Sequence, residues 1–143
     1  MKTLQEVLAG DGCGVYRFEG ESSSALDRLA GRAPRHVRIQ APPGKQALLV
    51  VLAAALQFPD HFGVNWDALY DCLTDLDPPR EPGVVIEIQG LGKFARTAPG
   101  ELSRAIETFS DAARFWRERS GRFLVLLGGA GRVAAELPAL DTG

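Results

Sequence analysis

The chain has too little cysteine and histidine to support much reactive or metal chemistry. Of its 143 residues, only Cys13 and Cys72 are cysteine and only His36 and His61 are histidine. Neither a CxxC spacing nor a histidine cluster is present, so a disulfide framework and a structural zinc site are both excluded. Long apolar runs are also missing. The longest, Ala47–Leu56, is ten residues, about half of what a bilayer-spanning helix needs. The opening MKTLQEVLAGDG carries acid early and has no apolar core of a secretory signal. A cytoplasmic, reduced protein is therefore expected, with no cofactor and no membrane contact. Strong net charge is absent too. The formal total is −2, which predicts no direct nucleic-acid binding. GlyGlyAlaGly at residues 128–131 follows a predicted strand but lacks the GxGxxG pattern and any phosphate-binding lysine. No repeat or low-complexity tract is visible.

What is present suits a globular domain. Hydrophobic residues make up 45% of the chain and charged residues 24%, and this length buries a core without covalent staples. The charge is unevenly spread. From Asn65 to Glu81 the acids Asp67, Asp71, Asp75, Asp77 and Glu81 face Arg80 alone, a local net charge of −4.

Hydrophobic spacing predicts a short helix at Thr3–Leu8, a strand at Gly14–Phe18 and a helix at Ser24–Ala30. A strand follows at His36–Gln40. Lys45–Gln57 reads as a helix that is apolar almost all round, hence deeply buried. Phe58-Pro59 ends it, because proline disfavours helical geometry in the residue before it. Asn65 then caps a helix running to about Leu76, with Gly63 supplying the backbone freedom for the preceding turn. Val84–Ile88 and Phe123–Leu127 are apolar strands. Between them Leu102, Ile106, Phe109, Ala113 and Trp116 recur at helical spacing from Pro99 to Ser120-Gly121. Beyond Gly128 the reading is a loose helix at Arg132–Leu137 in a fraying tail. This order gives an α/β fold, a small, mainly parallel three-stranded sheet flanked by helices, with Gly14–Phe18 as a candidate fourth strand at an edge. Residues 1–34 form an extension (helix, strand, helix) packed on the main domain at 35–128, and residues 129–143 a flexible tail.

On a helical wheel the Asn65–Leu76 segment divides cleanly. Ala68, Leu69, Cys72, Leu73 and Leu76 occupy one arc, with Trp66 at its edge. Asp67, Tyr70, Asp71, Thr74 and Asp75 occupy the other. Carboxylates four residues apart repel by roughly 0.2–0.5 kcal/mol per pair, and Asp75 lies in the last turn, where the helix dipole disfavours an anion. A merely solvated face normally mixes signs; this one holds no Lys or Arg. Tyr70 adds a stiff contact group of the kind interfaces favour. Cys72, on the opposite arc from Asp67, reads as a small core residue. Trp66 and Trp116 read as core aromatics. His36 has no paired acid nearby in sequence, and the basic run Arg32, Arg35, His36 and Arg38 reads as solvated surface.

The stretch FPDHFGVNWDALYDCLTDL, Phe58–Leu76, resembles the signature of the barstar family, intracellular inhibitors of barnase-type ribonucleases. The likeness extends in order through the strands and helices from about Arg35 to Gly128. It implies a barstar-like fold and a non-enzymatic protein whose loop and acidic helix plug a ribonuclease active site, carboxylates taking the places of RNA phosphates. Carried over residue by residue, it makes Asn65, Asp67 and Asp71 binding residues, with Asp71 the central carboxylate. Tyr70 takes the place of a contact tryptophan, and Asp111 that of an acid on the last long helix. His61 stands where the family has an aromatic, Asp75 where it has a glycine, and Leu76 where it has a second tryptophan. The expected ribonuclease-binding set is thus His61, Gly63, Asn65, Asp67, Tyr70, Asp71, Asp75 and Asp111, in a monomer without catalytic or metal residues. The rival expectation is an immunity or interaction module offering the same acidic surface to another basic partner, such as a different nuclease toxin.

Overall fold

A computed structural model describes residues 2–19, 35–76 and 83–141. The helix expected at Ser24–Ala30 lies outside the described residues, as do Asp77, Arg80 and Glu81. At the centre is a four-stranded, wholly parallel sheet built from β2 (Gly14–Phe18), β3 (Arg35–Gln40), β4 (Val84–Gln89) and β5 (Phe123–Gly128), in the order β2-β5-β4-β3. The candidate fourth strand is thus β2, beside β5 with Val15 opposite Val125. The two inner strands are buried along almost their whole length, which is why both read as unbroken apolar runs rather than alternations.

Parallel neighbours need long crossovers, and the helices supply them. Two connect β3 to β4, namely α2 (Lys45–Ala55) and α3 (Trp66–Thr74); two more connect β4 to β5, namely α4 (Gly92–Thr97) and α5 (Pro99–Arg117). Their apolar stripes meet Ile39, Ile86, Ile88, Phe123, Val125 and Leu127 in the main core. α2 differs from expectation. Leu48, Leu49 and Leu52 are fully buried, but Ala47 and Ala54 are exposed and Val50 is 55% exposed. Small apolar residues on its outer side gave an all-round pattern without all-round burial. The short α4 had no periodic signal of its own and was not expected.

The other sheet face carries a second, smaller core. Tyr16, Phe18, Val85, Leu124 and Leu126 pack there with Leu4 and Val7 of α1 (Leu4–Ala9). Thr3 caps α1, its hydroxyl accepting from Glu6 N at 3.1 Å. Where the sequence suggests a tail, residues 131–134 form a 3-10 turn, and β6 (Leu140–Asp141) pairs in parallel with β1 (Lys2–Thr3). Arg17 N also donates to Pro138 O at 3.0 Å, so the end of the chain covers the outer edge of β2, an edge that would otherwise offer free backbone groups.

Candidate functional site

The approach to α3 is fixed by its own side chains. Phe58 and Phe62 pack on the core with ring centroids 5.2 Å apart, and Phe62 N donates to Pro59 O at 3.0 Å. Asn65 is extended (φ −151°), and its Oδ1 accepts from Ala68 N at 2.7 Å. This is the N-cap geometry that satisfies an otherwise orphaned amide. The backbone at Gly63 is not left-handed. A Cβ at Gly63 would instead approach Asn65 Nδ2 to 3.2 Å, so the missing side chain leaves room for the capping amide.

Two indoles tie α3 to α5, one at each end. Trp66, nearly fully buried, donates from Nε1 to Glu101 Oε2 at 2.8 Å. Lys45 Nζ lies 3.9 Å from the same oxygen and 5.9 Å from the Trp66 ring centroid, bringing α2 into the anchor. At the far end Trp116 Nε1 donates to Leu73 O at 3.0 Å in a buried bond. Start meets start and end meets end, so the two helices run in the same direction. Thr74 Oγ1 donates to Tyr70 O at 2.9 Å and to Asp71 O at 3.2 Å in the last turn of α3. The helix ends at Thr74, earlier than Leu76, and Asp75 is its C-cap residue. Leu76 is buried in the core.

Between α3 and α5 lies an open groove of about 790 Å³. Trp66, Asp67, Tyr70 and Asp71 form one wall. Arg104, Glu107, Thr108, Asp111 and Arg114 form the other. Four of the expected binding residues, Asp67, Tyr70, Asp71 and Asp111, are thereby brought together from positions up to 44 apart in sequence. His61, Gly63, Asn65 and Asp75 are exposed but lie outside the groove lining. The Asp67, Asp71, Asp75 ladder is thus two groove carboxylates plus one at the helix terminus. Sequence reasoning missed Glu107 and both arginines. Their signal was the stripe 104, 107, 111, 114, which keeps one helical face at spacings of three and four.

The residues that line the groove include neither cysteine nor histidine. Cys72 is half-buried on α3, and burial pushes its thiol up, reinforced by the Asp71 and Asp75 carboxylates. Both effects favour the thiol over the more nucleophilic thiolate. His36 does have an acid beside it. The parallel register sets Arg38 opposite Glu87. Glu87, fully buried, accepts from Arg38 Nε at 2.9 Å and lies 4.0 Å from His36 Nε2. Since side chains alternate along a strand, these groups face away from the core that supports the groove. His36 and Arg38 are thus tied to a buried carboxylate rather than forming a solvated basic run. Among the described residues no group of three or more His, Cys, Asp or Glu side chains could hold a metal ion, and no helix is long and apolar enough to cross a membrane.

Residues 32–128 match the family model described as Barstar (barnase inhibitor). The chain belongs to the barstar family. The match spans β3 to β5 and every helix that builds the groove, while α1, β2 and the residues after Gly128 lie outside it. Barstar-family proteins are inhibitors, not enzymes. No curated protein and no solved structure matches the chain significantly.

Proposed function

We propose that this chain is an intracellular inhibitor of a barnase-type ribonuclease, and that it blocks the enzyme's cationic cleft with the groove between α3 and α5. The observation that carries this reading is the family match over the same elements that set Asp67, Asp71 and Asp111 around one groove. An active site that binds RNA must be positive to hold phosphates. Carboxylates on a rigid frame occupy such a site without presenting a bond it can cleave. The frame is already formed: the Asn65 cap and the two indole anchors fix α3 before any partner arrives, so little conformational entropy is lost on docking. Tyr70 supplies stiff contact area between Asp67 and Asp71. His61, Gly63 and Asn65 form the adjoining loop surface, and Asp75 extends the acid beyond the groove. The inhibitor needs no cofactor and performs no chemistry.

The test is an RNA-cleavage assay with barnase, the enzyme in the family's description, titrated with the purified chain. Cleavage is expected to fall to zero at one chain per enzyme. Binding without loss of cleavage contradicts active-site occlusion and favours a module that uses the same surface for another basic partner.

A further inference from the structure

The groove carries both signs of charge in an ordered sequence. Along its α5 wall come Arg104, Glu107, Asp111 and Arg114, facing Asp67 and Asp71. Carboxylates hold the middle and guanidiniums close each end. At the α-helical rise the ten-residue step from Arg104 to Arg114 spans about 15 Å.

Neither arginine is consumed by the fold. Arg104 Nε lies 3.9 Å from Glu107 Oε2, and Arg114 reaches Asp111 Oδ1 at 3.9 Å, with side chains 59% and 68% exposed. Among the described residues no ion pair links either arginine to an aspartate of α3. A groove that only had to attract a cationic cleft would be better without them. Positive groups lower its negative potential and oppose a positive partner wherever no carboxylate meets them.

Resting on the inhibitor reading above, we propose that Arg104 and Arg114 are specificity residues for a ribonuclease whose cationic cleft is bounded at both ends by carboxylates, about 15 Å apart. Each guanidinium offers a planar fork that pairs two-pronged with a carboxylate. Together they set the register of the acidic centre on the cleft. An enzyme equally cationic but without end carboxylates meets two like charges, offset only by the exposed pairs with Glu107 and Asp111, and binds less well, which is how repulsion produces selectivity.

The sign of one substitution pair decides this. Arg104→Glu with Arg114→Glu makes the groove more acidic, so simple attraction predicts faster association with barnase at low salt. Pairing with end carboxylates predicts the opposite: slower association and an affinity lower by about tenfold or more. Arg104→Ala with Arg114→Ala, which removes charge without adding any, provides a second reading should the reversed pair fold poorly. It too is expected to weaken binding. Changing carboxylates at the barnase cleft to lysine, one at a time, should restore affinity for the reversed pair at one or two positions. Unchanged or faster association of the arginine variants, with Asp71→Ala still weakening binding, overturns this inference and leaves inhibition standing. An Asp71→Ala variant that binds as tightly as the parent chain overturns both.

Discussion

Asp71 and Asp60 have the same carboxylate on the same stretch of chain but different surroundings. Asp71 lies in the groove beside Tyr70 and Asp67; Asp60 is exposed in the loop before it. If the groove is the contact surface, Asp71→Ala leaves a partner cation unpaired in a desolvated site and weakens ribonuclease binding about 10- to 100-fold. Asp60→Ala should change affinity little, and both variants should melt close to the parent temperature. Titration calorimetry with thermal denaturation checks this, and equal affinity losses would count against the assignment. Cys72 gives a second residue-scale prediction. Burial and the Asp71 and Asp75 charges raise its thiol, so Asp71→Asn with Asp75→Asn should lower the midpoint of its alkylation-rate profile. The folded value lies above the unfolded one. The thiol's contribution to stability is therefore whole below the ordinary thiol range and is lost as pH rises through the raised value.

At the scale of elements, the rigidity of α3 depends on its two indole anchors as well as its own capping. Trp116→Phe keeps most of the buried ring but leaves Leu73 O without its donor. The expected cost is about 1–3 kcal/mol in denaturant unfolding, with a faster dissociation of the ribonuclease because the C-terminal half of α3 is released. A stability loss with an unchanged dissociation rate would separate that anchor from function. Much at this scale was legible. Alternation at β3, short apolar runs at β4 and β5, an all-round apolar run at α2 and helical spacing at α3 and α5 located these elements, and Asn65 was readable as a cap because its role is local. The anchors were not. The pattern placed Trp66 and Trp116 in the core, but Glu101 lies 35 residues from Trp66 and Leu73 lies 43 from Trp116. Likewise, the acidic wheel of α3 gave one wall of the groove, while the charges of the other wall acquire meaning only once α5 is packed beside it.

Across the whole molecule, the segments outside the family match extend a three-stranded core. β2 widens the sheet, and Asp11, Cys13, Arg117 and Arg122 fasten the N-terminal segment to the rest. Arg117 Nε donates to Asp11 Oδ2 at 2.8 Å, Cys13 Sγ donates to Gly121 O at 2.9 Å, and Arg122 donates to the carbonyl of Leu8. A two-residue strand such as β6 has no periodic signature, and Leu140 is legible as a core residue only after its pairing with Lys2 is known. Leu140 is nearly fully buried in the second core, so Leu140→Ala should cost about 2–3 kcal/mol of unfolding free energy without altering the groove. A neutral effect would show that the chain's end does not support the fold. Overall charge is close to balanced at −2 while acid is gathered at one site, so attraction should be local and screened by salt within about 8–10 Å. Active-site mimicry is therefore tested most directly by the association rate with barnase across ionic strength, measured for the parent chain and for Asp71→Ala. The parent rate should fall steeply as salt rises, and the Asp71→Ala slope should be shallower. A parent rate indifferent to salt, or equal slopes for the two proteins, would contradict the acidic groove as the element that finds and fills the enzyme's cleft.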